Sequence, residues 1–138
     1  MYLAKAAYQR FVTTIYMLQY TYALFFIVIG LDRFFQFSGA AWDAYLSAAL
    51  TQTVPVPDSL IVAVIAIGHL VAGVALLMPY LCRLGASIGF IMLLAIAIDL
   101  ILADGGEFYV RASLYAVMAV GILALYNLWI IRDTLEKS

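Results

Sequence analysis

Long apolar runs alternate with short polar segments along this chain. Four of the runs have nearly or fully the length needed to cross a bilayer: Ile15–Ile29, Leu60–Met78, Leu84–Leu102 and Ala112–Ile131. At a rise of about 1.5 Å per residue, a helix needs roughly 20 residues to cross a hydrocarbon core of about 30 Å. The first run reaches that length only by continuing to Phe37. The pattern predicts an all-α bundle of four transmembrane helices, with spans at about 15–37, 60–78, 84–103 and 111–131.

The composition supports the same class of protein. Hydrophobic residues make up 67% of the 138 residues, charged residues only 11%, and the mean hydropathy is +1.09. Such a chain cannot present a surface that water solvates. Four spans leave little sequence for a soluble domain, so we predict that residues 1–138 form a single integral membrane domain. The segment Met1–Tyr20 precedes no signal-peptide cleavage site, and we expect it to be retained with its first turns at the interface.

The long connection Ser38–Ser59 has a helical pattern of its own. Its apolar residues recur at helical spacing: Trp42, Tyr45, Leu46, Ala49 and Leu50. Pro57 and Asp58 then provide a start signal for the second span. We predict a short amphipathic interfacial helix between spans one and two. Two roles stay open for it, a clamp packed on the bundle or a lid over a lateral opening between helices.

The charged residues are distributed unequally between the two sides of the membrane. One side, shared by both termini and the turn between spans two and three, carries Lys5, Arg10, Arg83, Arg132 and Lys137. The other side carries Arg33 and Arg111 together with most of the acidic residues. The positive-inside rule therefore predicts that both termini are cytoplasmic. We expect the protein in the inner membrane of a bacterium or archaeon, with membrane lipids as partners and no nucleic acid.

His69 is the only histidine and lies near the middle of the second span. A titratable side chain at that depth is costly and normally faces protein rather than lipid. Its neighbours on the same side of the helix are small, which lets another helix or a flat ligand come close. Three roles remain open: a neutral hydrogen bond between helices, a hydrogen bond to a quinone carbonyl, or axial ligation of haem or chlorophyll.

Three stripes at helical spacing end in charged residues near the outer surface. On span one the stripe is Gln19, Ala23, Phe26, Gly30 and Arg33; on span three it is Gly85, Gly89, Met92, Ile96 and Asp99; on span four it is Arg111, Tyr115, Met118 and Ile122. The Gly85-x-x-x-Gly89 spacing marks a close-packing face, so we expect Asp99 to point into the bundle. Asp99 between Arg33 and Arg111 is either a structural ion pair or part of a site in which both arginines hold an anionic or quinone headgroup.

The residues that several kinds of chemistry require are absent from this sequence. The single Cys82 cannot form an intrachain disulfide, which removes a paired-cysteine thiol oxidase. The sequence contains no phosphate-binding loop, no His-Glu-x-x-His metal motif and no Gly-x-Ser-x-Gly elbow. We therefore assign no catalytic residue and no metal ligand.

Between about Tyr22 and Leu102 the sequence resembles a known family. The pattern resembles the DoxX and DoxD group of four-helix membrane proteins in three segments: Phe26-x-x-x-Gly30-x-x-Arg33-Phe34, Gly68–Leu77, and Arg83 followed by Gly85-Ala86. Two positions depart from that family: His69 stands where a glutamate is usual, and Arg33 where a lysine is usual. The resemblance implies a four-helix bundle and, for some members, quinone-linked sulfur oxidation, which we do not transfer because of the departure at His69.

These observations favour a small integral membrane subunit of a quinone-linked redox or energy-converting complex, respiratory or photosynthetic, more accessory than catalytic. In this hypothesis His69 and Asp99 supply hydrogen bonds to a quinone or lipid, Arg33 and Arg111 hold an anionic headgroup, and Trp42 and Tyr45 close the pocket. The alternatives are an autonomous quinone-reactive oxidoreductase and a pigment-binding or haem-binding protein that uses His69. The partner is then a larger complex or a second copy of the chain.

Overall fold

Five helices make up the described part of the chain. The computed structural model describes residues 2–39, 46–103 and 109–138. The helices are α1 (Tyr2–Phe35), α2 (Ala48–Thr53), α3 (Asp58–Leu77), α4 (Cys82–Ala103) and α5 (Tyr109–Lys137). All but α2 are long and apolar enough to cross a membrane. The predicted all-α architecture is confirmed, and the chain is an integral membrane protein with four candidate spans.

The first and last helices of the chain, α1 and α5, are longer than their apolar runs. Helix α1 begins at Tyr2 although its apolar run begins at Ile15, and α5 continues to Lys137 beyond the run that ends at Ile131. Apolar length reports only the part of a helix that contacts hydrocarbon, whereas a helix continues wherever its backbone hydrogen bonds do. With 34 residues, α1 is about 50 Å long, much longer than the hydrocarbon core.

The four long helices pack in the order α1, α3, α4, α5 around the bundle. Helix α3 contacts both α1 and α4, and α4 also contacts α5, while α1 and α5 touch less extensively. The short connections between α3 and α4 and between α4 and α5 make these pairs antiparallel neighbours. Helix α2 contacts α4. Each candidate span therefore packs against other helices on part of its surface and leaves the rest exposed.

The two ends of the bundle differ in their charged contacts. At the end where α1 begins and α5 finishes, here named the terminal end, Arg83 forms an ion pair with Asp133. The Tyr8 hydroxyl donates a hydrogen bond of 3.0 Å to Glu136 at the same end, which joins α1 to α5. The opposite end, where α1 finishes and α2 lies, is named the loop end. There Gln36 adopts a φ of 53° and ends α1 in the left-handed conformation.

The core of the bundle forms where α4 comes close to its neighbours. A Cβ added at Gly89 would lie 2.7 Å from Phe26 Cζ and 3.1 Å from Ile122 Cδ1, so this glycine lets rings and aliphatic side chains of α1 and α5 meet. At Gly85 the neighbour is backbone: an added Cβ would lie 2.8 Å from the nitrogen of Leu76. The Gly85 and Gly89 face is therefore used inside the bundle.

We expect Gly85→Ala to destabilise the protein by about 1 to 3 kcal/mol, because the added methyl group meets the backbone of α3, which cannot rotate away. The matched control is Gly68→Ala, whose methyl group would meet Met92 Sδ, the flexible end of a side chain, at 2.6 Å. Thermal unfolding in detergent measures both variants. Equal midpoints for Gly85→Ala and Gly68→Ala would contradict the close packing of α3 on α4.

Candidate functional site

Polar side chains from three helices converge on a cavity near the loop end. This inner cavity has a volume of about 260 Å³. Its polar lining consists of Arg33 from α1, Asp99 from α4, and Arg111 and Tyr115 from α5. Its apolar lining consists of Phe25, Leu46, Ile65, Ile96, Leu100, Leu114 and Met118. The three stripes identified in the sequence therefore meet at one place, and they bring Arg33, Asp99 and Arg111 together.

Arg33 lies at the end of α1 with 7% of its surface exposed. Its guanidinium group interacts with the Tyr115 hydroxyl on α5 and with the neighbouring Asp32. The Asp32 carboxylate also accepts hydrogen bonds from the backbone N–H of Ser38 at 2.7 Å and from the Ser38 hydroxyl at 2.8 Å. These contacts fold the chain after α1 back onto the helix end. Arg33 is thus held in place from both α1 and α5, facing the inner cavity.

Asp99 is bound by the segment that begins α2. The hydroxyl of Ser47 donates to Asp99 Oδ1, and the backbone N–H of Ser47 donates to Oδ2 at 3.3 Å. The same hydroxyl oxygen accepts from the N–H of Leu50 at 3.1 Å, which makes Ser47 the N-cap of α2. Ser47 is only 1% exposed, so these contacts are shielded from solvent. One side chain therefore both starts α2 and attaches it to α4.

Two residues of this site were missing from our assignment. Tyr115 belongs to the stripe predicted on span four but not to the predicted site residues, and it lines the inner cavity. Ser47 precedes an Ala-Ala-Leu segment, and a serine in that position is a common N-cap signal that could have identified it. Its contact with Asp99 spans 52 positions in the sequence, and nothing local in the sequence reports such a pairing.

His69 lies apart from the inner cavity, in the closed core. It is fully buried, and its ring packs against that of Phe26 with 5.6 Å between centroids. Nδ1 lies 2.9 Å from the carbonyl oxygen of Ile65, so the proton on Nδ1 is donated within α3 and not to another helix. Nε2 is then an acceptor, and no donor reaches it among the described residues. None of the cavities described here has His69 in its lining.

The predicted closing residues Trp42 and Tyr45 lie outside the described residues. The described part of the predicted interfacial helix is α2. It begins at Ala48, near the end of the segment with helical spacing. Its contact with α4 agrees with the clamp hypothesis, since Ser47 fixes it to the bundle. The lid hypothesis depends on what lies beneath it.

A second, larger cavity lies beneath α2, between α3 and α4. This lateral groove has a volume of about 620 Å³ and is lined mainly by apolar side chains. Ile98 and Leu102 belong to its wall and are 51% and 62% exposed, so the groove opens on the outer surface of the bundle. Ile65, Ile96 and Asp99 line both the lateral groove and the inner cavity. The two spaces therefore share a boundary at Asp99.

These features define a class: a four-helix integral membrane protein with a polar cavity at one end that adjoins an apolar groove on the outer surface of the bundle. Within the described residues, no group of three or more histidine, cysteine, aspartate or glutamate side chains could hold a metal ion. Comparison of the chain with protein-family models, with curated proteins and with solved structures finds no match.

We expect Ser47→Ala to loosen α2. The variant loses both the N-cap and the hydroxyl contact with Asp99, together about 2 kcal/mol, and a helix of six residues has little stability of its own. Hydrogen exchange measured by mass spectrometry over residues 46–57 should accelerate by roughly 30-fold.

The control for this variant is Thr51→Ala. Among the described residues the Thr51 hydroxyl bonds only carbonyl oxygens of the same segment, those of Ser47 and Ala48, at 3.2 Å each. Exchange in Thr51→Ala should stay close to that of the wild-type protein. If Ser47→Ala exchanged no faster than Thr51→Ala, the attachment of α2 through Ser47 would be refuted.

Proposed function

We propose that this protein is a small accessory subunit of a quinone-linked redox or energy-converting membrane complex, and that it holds the polar headgroup of a quinone or lipid in the inner cavity. The observation that carries the proposal is the convergence of Arg33, Arg111 and Tyr115 with Asp99 around that cavity. Polar side chains inside a membrane protein are costly and concentrate where a substrate, ion or headgroup is bound.

The donors around the inner cavity suit the oxygen atoms of a headgroup. A guanidinium group presents several N–H donors in a fixed plane and binds carboxylate or phosphate oxygens in pairs. The Tyr115 hydroxyl adds a group that can donate to a quinone carbonyl oxygen. Apolar side chains complete the lining, and they strengthen each polar contact by excluding water. A bound headgroup would therefore gain both orientation and affinity here.

The lining supports binding more than turnover. No histidine or cysteine belongs to it among the described residues, and the one carboxylate, Asp99, is engaged by Ser47. His69 would have to reach a substrate from the closed core to act in an autonomous quinone-reactive oxidoreductase. The accessory role also rests on the resemblance to DoxX-like proteins and on a chain that consists almost entirely of membrane helices.

We expect Arg111→Gln to lower the amount of co-purifying quinone or anionic lipid at least tenfold, because the variant removes a charged donor from the inner cavity. Arg111 is exposed, and the thermal unfolding midpoint of the variant shows whether the fold is intact. Arg10→Gln is the matched control, since Arg10 is an exposed arginine at the terminal end, far from the cavity. The measurement is quantitative mass spectrometry of an organic extract after gentle purification from the native membrane.

Native mass spectrometry of the same preparation tests the partner. A stable assembly with larger redox subunits would support the accessory role, whereas a free monomer or homo-oligomer would contradict it. Equal extracts from Arg111→Gln, Arg10→Gln and the wild-type protein would contradict headgroup binding. A Soret or chlorophyll band in the absorption spectrum would favour the pigment-binding alternative through His69.

We further propose that the terminal end is cytoplasmic, which places the inner cavity near the outer surface. Single cysteines in a Cys82→Ser background test this orientation: Tyr80→Cys at the terminal end, where Tyr80 is 95% exposed, and Gln52→Cys in α2 at the loop end. A membrane-impermeant maleimide applied to intact cells should label Gln52→Cys at once and Tyr80→Cys only after permeabilisation. The reverse labelling order would overturn the orientation.

A further inference from the structure

Helix α1 extends well beyond the turn that joins α3 to α4. The Gln19 side chain donates a hydrogen bond to the carbonyl oxygen of Leu76, which lies in the last turn of α3. Further along α1, Gly30 lies against Ala66 of α3, so the two helices are antiparallel. Residues 2–14 of α1 therefore lie beyond α3. At the helical rise they make an arm about 20 Å long.

The arm packs against the end of α5, and a groove lies between them. This terminal groove has a volume of about 710 Å³ and is lined by Ala4, Ala7, Tyr8, Phe11, Leu135 and Glu136. The hydrogen bond from Tyr8 to Glu136 joins its two walls. Ala4 and Ala7 are exposed, and Leu135 is 50% exposed. The groove thus presents apolar surface at a level beyond the apolar runs of both helices.

The shape of the terminal groove suits a third helix. Ala4, Ala7 and Phe11 follow the three-then-four spacing of a seam between packed helices. Alanine at two of these positions lets the backbone of another helix come close. From Ala4 to Phe11 the seam is about 10 Å long, which is two helical turns. A short amphipathic helix therefore fits along the arm.

Each wall of the terminal groove carries an exposed lysine. Lys5 lies on α1 and Lys137 on α5, each next to a residue that lines the groove. Neither side chain forms an ion pair or a hydrogen bond among the described residues. The acidic side chains at this end, Asp133 and Glu136, are already engaged by arginine or tyrosine side chains. The remaining positive charge favours carboxylates on an approaching partner.

We propose that the arm and the end of α5 dock an amphipathic helix of a partner protein. The apolar stripe of that helix fills the terminal groove, and carboxylates beside the stripe pair with Lys5 and Lys137. An interface of two helical turns is small, so the contact is a reversible one. This inference goes beyond the proposed headgroup site, which lies at the opposite end of the bundle.

The test measures the binding of two synthetic helices to the full-length protein in nanodiscs of phosphatidylcholine, a lipid without net charge. Both helices are stapled and carry the same leucine stripe, which glutamates flank in one and lysines in the other. The acidic helix should bind about tenfold more tightly than the basic one. Empty nanodiscs give the background from lipid. A photoreactive diazirine in the stripe should cross-link to residues 4–11 and 135–136.

Three variants locate the binding. Ala7→Trp fills the terminal groove and should weaken binding of the acidic helix about fivefold. The matched control is Gln9→Trp, which places the same side chain at an exposed position on the opposite side of the arm and should bind like the wild-type protein. Lys5→Glu should weaken binding of the acidic helix and strengthen that of the basic helix, whereas a damaged fold would weaken both.

Equal affinity for the two helices would overturn the charge complementarity, and equal affinities of Ala7→Trp and Gln9→Trp would exclude the terminal groove as the site. Dimers in native mass spectrometry that disappear in Ala7→Trp would make a second copy of the chain the occupant. Loss of the acidic helix when phosphatidylglycerol replaces phosphatidylcholine would assign the lysines to anionic lipid. None of these measurements depends on a bound headgroup, so this inference and the proposed function can fail separately.

Discussion

Close contact between helix backbones is the interaction on which this structure depends. Lipid is as apolar as the helices themselves, so burial of apolar side chains contributes little to the association of helices inside a bilayer. Van der Waals packing at small residues supplies the stabilisation instead. Gly85 lets α4 approach the backbone of α3, and Gly89 makes room for Phe26 from α1. These close contacts lie in the part of α4 nearer the terminal end, whereas the inner cavity and lateral groove lie toward the loop end.

The polar groups of the bundle follow the same division. In the closed part, polar side chains bond backbone carbonyl oxygens: Gln19 Nε2 donates to that of Leu76 at 2.6 Å, and His69 bonds that of Ile65. In the open part, Arg33, Arg111, Tyr115 and Asp99 face a shared space. Polar groups bonded to helix backbone in the closed part are already satisfied, whereas those that face a cavity can also bind a ligand.

The parts of the fold that depend on local pattern were predictable. The four long helices lie where the four apolar runs are, although α1 and α5 extend beyond theirs. The stripe on α1 from Gln19 to Arg33 is buried at every predicted position. The stripes also predicted which ends of the helices carry the polar site. Contacts between distant segments, such as that of Ser47 with Asp99, were not predictable from the sequence. Nor was it predictable that His69 bonds a carbonyl oxygen of its own helix. The pattern of apolar residues indicates where a residue lies along a span and on which face of the helix. It does not indicate which loop residue contacts which helix.

The length of α1 has a mechanical consequence. This helix runs without interruption from Tyr2 at the terminal end to Phe35 at the loop end, and its first turns lie beyond the apolar run. At about 50 Å, α1 exceeds a hydrocarbon core of about 30 Å by about 20 Å, which leaves room for its first turns outside the membrane. Because Tyr8 joins these turns to Glu136 of α5, a force applied to them is shared by two helices.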